Sequence, residues 1–252
     1  MAEILITGSK GFIGTVVRNY IQRGYDEVDH SLGTDHKDVK GRTGTLIYLS
    51  SYVREEESYK DPARYLENNL SGLASLLSNN SFSRVIFPSS YAIYDRNGNL
   101  EPKSVYGITK LAGEKLIKLY SKNYWILRIA NSYGVNSRLS VLYYLKQCKI
   151  NDKVFTIYKD TGGIYKDFFP VEHIAHTINK VLEGKIKSGT YNVGSGIATN
   201  VYEILLRICK GAGIKYKIDE APQGLSEWFV TEHNLLRSEK EDIETKWLKY
   251  LL

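Results

Sequence analysis

Tyr106 and Lys110 stand four residues apart in Tyr106-Gly107-Ile108-Thr109-Lys110. On a helix that spacing puts both side chains on one face. A lysine ammonium beside a phenol favours the phenolate, lowering the tyrosine pKa from its ordinary value of about 10. Tyr106 would then donate and accept a proton near neutral pH, which suits the interconversion of an alcohol and a ketone. With 20 tyrosines and 34 basic residues in the chain, about 2.7 pairs of this spacing arise by chance, Tyr124 and Arg128 among them, so position must give the pair its meaning. Ser89-Ser90 supply that position. They follow the apolar stretch Arg84 to Phe87, at the carboxyl edge where open α/β sheets bind ligands, and a hydroxyl there can hydrogen-bond a reacting oxygen.

A second constellation lies near the N-terminus, in Thr7-Gly8-Ser9-Lys10-Gly11-Phe12-Ile13-Gly14. A strand precedes it and an amphipathic helix follows, the context a dinucleotide fingerprint requires. Gly8 suits the tight turn, Gly11 the approach of backbone to a pyrophosphate, and Gly14 close helix–sheet packing. The first turn of the helix, at Phe12, Ile13 and Gly14, offers N–H groups to phosphate. No Gly-Lys-Ser/Thr closes the loop, so it is not a P-loop. The acid that would hold an adenine ribose belongs near Ser31, which is not acidic. Asp29 and Asp35 flank it, and His36 and Lys37 follow. A missing acid with cations nearby tilts the cofactor toward NADP over NAD.

The elements that must position these residues alternate. Strands are expected at Glu3–Thr7, Asp26–Ser31, Thr45–Leu49, Arg84–Phe87 and Trp125–Ile129. Helices carry Ile13 to Ile21, Leu70 to Leu77 and Ile108 to Tyr120. This alternation predicts βαβ units: an α/β, Rossmann-type doubly wound parallel sheet with helices on both faces. Beyond Gly134 the pattern loosens, with strands at Val154–Tyr158 and Gly189–Val193 and helices at Val171–Leu182 and from Asn200, where Glu203 suggests a capping box. The tail from Asn234 is charged and anchored by little besides Trp247 and the final leucines. The expected division is a dinucleotide-binding domain over 1–134, with 166–194 returning to it, and a small interleaved C-terminal substrate lobe from 135–165 and 195–252.

Composition narrows the classes. The 252 residues are 42% hydrophobic and 25% charged, ordinary for a globular chain of roughly one to two domains. No stretch reaches the ~18 apolar residues of a membrane span, and the first residues do not read as a signal peptide, so a cytoplasmic protein without membrane insertion is expected. Two cysteines exclude a disulfide scaffold and a cysteine-rich metal site. His173 and His176 share a helix face without a completing ligand cluster and read as structural, so no metal is expected. The net charge of +6 suits anionic partners, yet no basic run points to nucleic acid, and none is expected as a partner.

With these residues in this order, the sequence resembles the extended short-chain dehydrogenase/reductases, and more closely the NAD(P)-dependent nucleotide-sugar epimerases, dehydratases and 4-keto reductases. The resemblance spans about residues 3 to 210. Gly8, Gly11 and Gly14 match the cofactor loop. Tyr48-Leu49-Ser50-Ser51 stands where the family usually has His-Leu-Ala-Ala beside the cofactor, and Asp61-Pro62 with Asn69 and Gly72 matches its helix pattern. Ser89-Ser90-Tyr91-Ala92 matches the serine segment. Leu127 to Gly134 and Lys166 to Ala175 match the segments around the sugar nucleotide, and Tyr191 to Gly196 a further landmark.

The resemblance implies a catalytic set of Ser90, Tyr106 and Lys110. It implies cofactor contacts from Gly8, Gly11, Phe12, Ile13, Gly14, Ser31, Leu49, Ser50, Ser51, Asn69 and Ser89 as well as Tyr106 and Lys110, and substrate contacts from Tyr91, Asn131 and Lys166. Tyr91 and Ala92 occupy the place of the dehydratases' Asp-Glu pair, which argues against loss of water. The cysteine of the double epimerases is also missing. Lys166 replaces an arginine, keeping the charge without the bidentate fork. The implied reaction is hydride transfer at C4 of a nucleotide sugar. The absent ribose acid and the small lobe tilt it toward reduction of a 4-keto sugar over 4-epimerisation; a catalytically silent dinucleotide sensor is the alternative from another class. Either enzyme would serve synthesis of surface polysaccharide sugars, and a homodimer is the family expectation.

Overall fold

The computed structural model describes residues 4–21, 24–28, 36–134, 137–138, 140–159, 163–221, 234–239 and 242–251. The chain opens with β1 (Ile4–Thr7), α1 (Phe12–Tyr20) and β2 (Asp26–Val28), then a 3-10 turn at His36–Asp38 and β3 (Thr43–Tyr48). Helices α2 (Glu55–Lys60) and α3 (Pro62–Leu66) run through a π-helical turn (Glu67–Ser71) into α4 (Gly72–Asn79). β4 (Ser81–Ser90), α5 (Val105–Tyr120) and β5 (Tyr124–Ile129) follow, then β6 (Asn131–Tyr133), α6 (Val141–Ile150), β7 (Phe155–Lys159), β8 (Tyr165–Lys166) and β9 (Phe168–Pro170). The remainder is α7 (Glu172–Leu182), β10 (Gly189–Gly194), β11 (Thr199–Asn200), α8 (Val201–Ala212), β12 (Tyr216–Glu220), β13 (Leu235–Arg237) and α9 (Ile243–Leu251).

Seven strands, all parallel, form one sheet in the order β13-β10-β5-β4-β3-β1-β2. Its central strands are apolar at nearly every position because both faces are covered. Successive side chains on a strand point to opposite faces: Ile4, Ile6, Ile47 and Ile86 enter the core under α1 and α7, while Leu5, Leu46, Tyr48, Val85 and Phe87 enter the core under α4 and α5. Order reverses at β1, whose neighbours are β2 and β3, which opens the crevice expected at such a switch point. The doubly wound α/β architecture expected from the sequence is therefore present.

A second core gathers Leu142, Leu145, Ile157, Ile204, Ile208 and Trp247 from α6, β7, α8 and α9. It takes in Tyr133 and Phe168 of the short β6–β9 pair, whose rings meet Trp247 edge-on at 5.8 and 5.2 Å. Asn200 caps α8, its Oδ1 accepting from the Glu203 N–H at 3.0 Å, as the motif suggested.

The second strand is seen only over Asp26–Val28, and the rest of the expected stretch to Ser31 lies outside the described residues. The tail is better anchored than its charge implied. Leu235–Arg237, assigned by sequence to the substrate lobe, pairs in parallel with Asn192–Gly194 as the edge strand of the large sheet, and His173 Nε2 holds the Leu236 carbonyl at 3.0 Å.

Candidate functional site

The carboxyl ends of β1 and β3 are stitched together, with the Leu49 N–H donating to the Thr7 carbonyl at 3.2 Å and to its Oγ1 at 3.1 Å. The glycine loop rises between them. Gly8 has φ +64°, and a Cβ there would lie 2.7 Å from the Leu49 carbonyl carbon and the Ser50 nitrogen. A Cβ on Gly14 would collide with the Gly8 carbonyl oxygen. Gly11 opens α1 with no side chain capping it and no acid in the first turn. The first N–H groups of a helix have no partner within the helix, so this end presents bare donors and the positive dipole end to the cavity. That donor set fits the pyrophosphate of a dinucleotide.

Across the crevice, β4 ends at Ser90, whose Oγ accepts the Ala92 N–H at 3.1 Å and starts a 3-10 turn. Ser104 caps α5, accepting the Gly107 N–H at 3.0 Å, and so sets Tyr106 in the first turn facing Ser90. Tyr106 and Ser90 line the same cavity wall, near enough for the Ser90 side chain to act on the phenol. Lys110 lies one turn on. Its Nζ donates to Ser51 Oγ at 2.8 Å and to the Pro88 carbonyl at 2.9 Å, and it sits 4.8 Å from the centre of the Phe87 ring.

The expected pKa order is reversed. Burial pushes the Tyr106 phenol up to about 12, the nearby Ser90 side chain opposing, with the charge of Glu55 adding to the rise. Lys110 does not offset it, because its ammonium is 5.9 Å from the Tyr106 ring centre and bonded elsewhere. Burial lowers Lys110 itself to about 7, and Glu114 pulls back only partly. In the ligand-free chain the phenol is thus a proton donor.

Beneath this pair lies a buried polar network that the sequence reading missed. Glu114, one further turn along α5, accepts Arg128 Nε at 3.0 Å and Nη2 at 2.8 Å, and the Ser89 hydroxyl at 2.6 Å. Arg128 also donates to the Tyr94 hydroxyl at 2.7 Å, which donates to Asn192 Oδ1 at 2.9 Å. The signal available was the i, i+4, i+8 stripe Tyr106, Lys110, Glu114.

One cavity of about 1170 Å³ connects these parts. Its wall includes Gly8, Gly11, Phe12, Ile13, Gly14, Leu49, Ser51, Ser89, Ser90, Tyr91, Tyr106, Lys110, Asn131 and Lys166. Most of the expected site residues thus meet. Two expected cofactor contacts, Ser50 and Asn69, are not in its wall, and a third belongs to the residues not described. Ser31 lies outside the described residues. Ser50 faces a separate small recess beside Tyr52 and Asn68, with its Oγ 3.4 Å from His36 Nε2. Asn69 is buried, its amide bonded to the Tyr52 backbone in both directions and to Thr109 Oγ1. It fastens the segment after β3 to α5.

Asn131 is held by its backbone N–H on the Asp167 carbonyl at 2.9 Å. Asp167 is fully buried, accepting the N–H groups of Ser195 and Gly196 at 2.8 and 2.9 Å, which fixes Lys166 beside the cavity. The lining carboxylates Glu55 and Asp95 are engaged, Glu55 by the Ser104 hydroxyl at 3.0 Å and Asp95 by Asn97 and Asn99. No acid follows Ser90, where Tyr91 and Ala92 line the wall. The arrangement can therefore present one phenol and one hydroxyl to a single ligand oxygen. Among the described residues no helix is long and apolar enough to cross a membrane, and no acidic, histidine or cysteine cluster could hold a metal.

Comparison with known proteins shows the family and the fold. The family model for the RmlD substrate binding domain matches residues 80–226. UDP-glucose 4-epimerase from Lactobacillus helveticus is 27% identical, over 88% of this chain and 85% of that protein. Two solved structures share the fold: UDP-glucuronic acid 4-epimerase from Bacillus cereus in complex with UDP-glucuronic acid and NAD, and RMD from Pseudomonas aeruginosa complexed with NADPH. The first has TM-score 0.79 at 21% identity, covering 99% of this chain and 98% of that one. The second has TM-score 0.78 at 19% identity, covering 100% and 98%.

Proposed function

This chain belongs to the RmlD substrate-binding-domain family, among the extended short-chain dehydrogenase/reductases that act on nucleotide sugars with NAD(P), and from that premise we propose that it is an NAD-dependent nucleotide-sugar 4-epimerase. The observation that carries the reading is the meeting of Ser90 and Tyr106 on the wall shared with the glycine loop. The 4-epimerases among its relatives support it.

When bound, the dinucleotide supplies a hydride acceptor and donor. The N–H groups at the start of α1 would hold its phosphates, and Lys110 would hold its nicotinamide ribose. Once ionised, a state that a nearby positive charge favours, Tyr106 would take the proton of the sugar C4 hydroxyl as that carbon becomes a ketone, and the phenol so formed would return it to the same oxygen. Ser90 hydrogen-bonds that oxygen in both directions. Asn131 and Lys166, which line the cavity, would meet the diphosphate, Lys166 with a single point charge. With Tyr91 and Ala92 directly after Ser90, and Glu55 and Asp95 engaged by their neighbours, this reading assigns no second proton relay for loss of water.

A second reading has its own support. A phenol held at about 12 is a ready proton donor, which suits one-way reduction of a 4-keto sugar by NADPH. The ribose-proximal residues near Ser31 on which the NADP preference rested lie outside those described, so the choice of dinucleotide belongs to the test. A homodimer through α5, where Ile108 and Leu119 are exposed, belongs to the same proposal.

The test offers UDP-glucose, UDP-N-acetylglucosamine, UDP-glucuronate and their 4-keto counterparts with NAD or NADPH, and identifies products by mass and nuclear magnetic resonance. A C4 epimer formed without net change in reduced dinucleotide supports the epimerase. Stoichiometric consumption of NADPH on a 4-keto sugar supports the reductase. Dinucleotide binding with no turnover of any sugar refutes both and favours a sensor.

A further inference from the structure

Lys110 is a buried cation whose two hydrogen bonds both go to neutral oxygens. The Pro88 carbonyl sits within β4, and Ser51 Oγ lies just past the end of β3. The Phe87 ring offers its face at 4.8 Å from a third side. An ammonium has three N–H donors, so one is left, and Lys110 lines the cavity shared with the glycine loop. Of the two anchoring oxygens, the carbonyl is common to any residue at position 88, and only the hydroxyl depends on the side chain.

We propose that Ser51 is a positioning residue, which pins the Lys110 ammonium to the adjoining ends of β3 and β4 and so directs its remaining N–H toward the ribose of a bound dinucleotide. Directing the ammonium to a ribose rests on the dinucleotide reading given above; the pinning of Lys110 by Ser51 does not. Without the hydroxyl, a four-carbon stem with free torsions is held at one carbonyl and one ring face, and its head swings.

Charged and titratable groups near Lys110 come from several elements. On its own helix they are Tyr106 and Glu114, the latter already paired with Arg128 of β5. Tyr48 of β3 stacks on Phe87, Glu55 of α2 acts on Tyr106, and His36 lies beside the neighbouring Ser50. None of these groups hydrogen-bonds the Ser51 hydroxyl, whose bond is to Lys110. Losing an acceptor disfavours the charged form of the amine, so the Lys110 midpoint must fall.

The test uses full-length, ligand-free protein with isotopically labelled lysine. The ε-carbon resonances are followed against pH for wild type, Ser51→Ala and Ser51→Thr. Lys110 separates from the other lysines because its midpoint lies near 7, far below the ordinary lysine value of about 10.4. The expected result is a fall of about one pH unit in Ser51→Ala, a tenfold change in the protonation equilibrium, and recovery in Ser51→Thr. Binding of NAD and NADPH, measured by calorimetry on the same proteins, should weaken about tenfold in Ser51→Ala and recover in Ser51→Thr. An unchanged Lys110 midpoint in Ser51→Ala overturns the proposal, and so does a shifted midpoint with unchanged dinucleotide affinity. If wild type binds neither dinucleotide while the midpoint shifts as expected, the dinucleotide reading fails and the Ser51–Lys110 link stands.

Discussion

Replacing Lys110 by methionine should stabilise the protein near neutral pH and destabilise it in alkali. Methionine keeps an unbranched stem among Phe87, Tyr106 and Glu114 and removes the ammonium. Burial lowers the lysine from 10.5 to about 7. That drop of three and a half pH units, at about 1.36 kcal/mol per unit, makes the buried cation cost about 5 kcal/mol where it is protonated in both states. Against this, the variant leaves the Pro88 carbonyl without its donor, a loss of about 1–3 kcal/mol. The net gain is about 2–4 kcal/mol near pH 7, which for a chain of this size is a Tm rise on the order of 5–15 °C.

The sign follows from linkage. Between about pH 7 and 10.5 the unfolded wild type binds a proton that the folded state does not, so wild-type stability gains on the variant as pH rises. Near pH 10.5 the buried-charge cost has gone, and the variant is left about 1–3 kcal/mol less stable through the unpaired carbonyl. Urea unfolding of both proteins across this range reads the difference, in which the titrations of Tyr48 and Tyr106 cancel. A variant less stable at pH 7, or a difference that does not change with pH, would refute the reasoning.

Other substitutions separate binding from chemistry. Tyr106→Phe keeps the ring and removes the proton relay; turnover should fall about 10²–10⁴-fold while calorimetry shows dinucleotide affinity unchanged. Gly14→Ala drives a methyl into the Gly8 carbonyl; it should cost about 1–3 kcal/mol in denaturant unfolding and abolish dinucleotide binding. Glu114→Ala strands the largely buried Arg128 guanidinium, and chemical denaturation should register a loss of about 3–5 kcal/mol.

Much of this molecule could be read from its residues because the informative signals are local. β1, β3, β4 and β5 announce themselves as apolar runs, which strands covered on both faces require. The glycine spacing and the Tyr106–Lys110 interval encode backbone approach and a shared helix face directly. The missed features depend on distance in the chain. Leu235–Arg237 is only three residues beside charged neighbours, and becomes a strand because β10 offers an open edge. The Glu114–Arg128 pair joins a helix to a strand fourteen residues away. The direction of the Tyr106 pKa turns on how burial weighs against a cation 5.9 Å from its ring, and spacing carries no information about that separation. Asn69 fits a motif by position, yet its amide is consumed in holding the backbone of Tyr52.

The central claim is hydride transfer at the sugar carbon inside the cavity walled by Ser90 and Tyr106. It is tested most directly with a nucleotide sugar that turns over, deuterated at C4 and incubated with the purified protein and its dinucleotide in ordinary water. The account predicts a C4 epimer that keeps its deuterium, as mass spectrometry reads it, because the hydrogen removed from the carbon returns without exchange with solvent. An epimer in which the deuterium has been replaced by hydrogen from water would contradict it, since inversion would then proceed by removal of a proton from carbon.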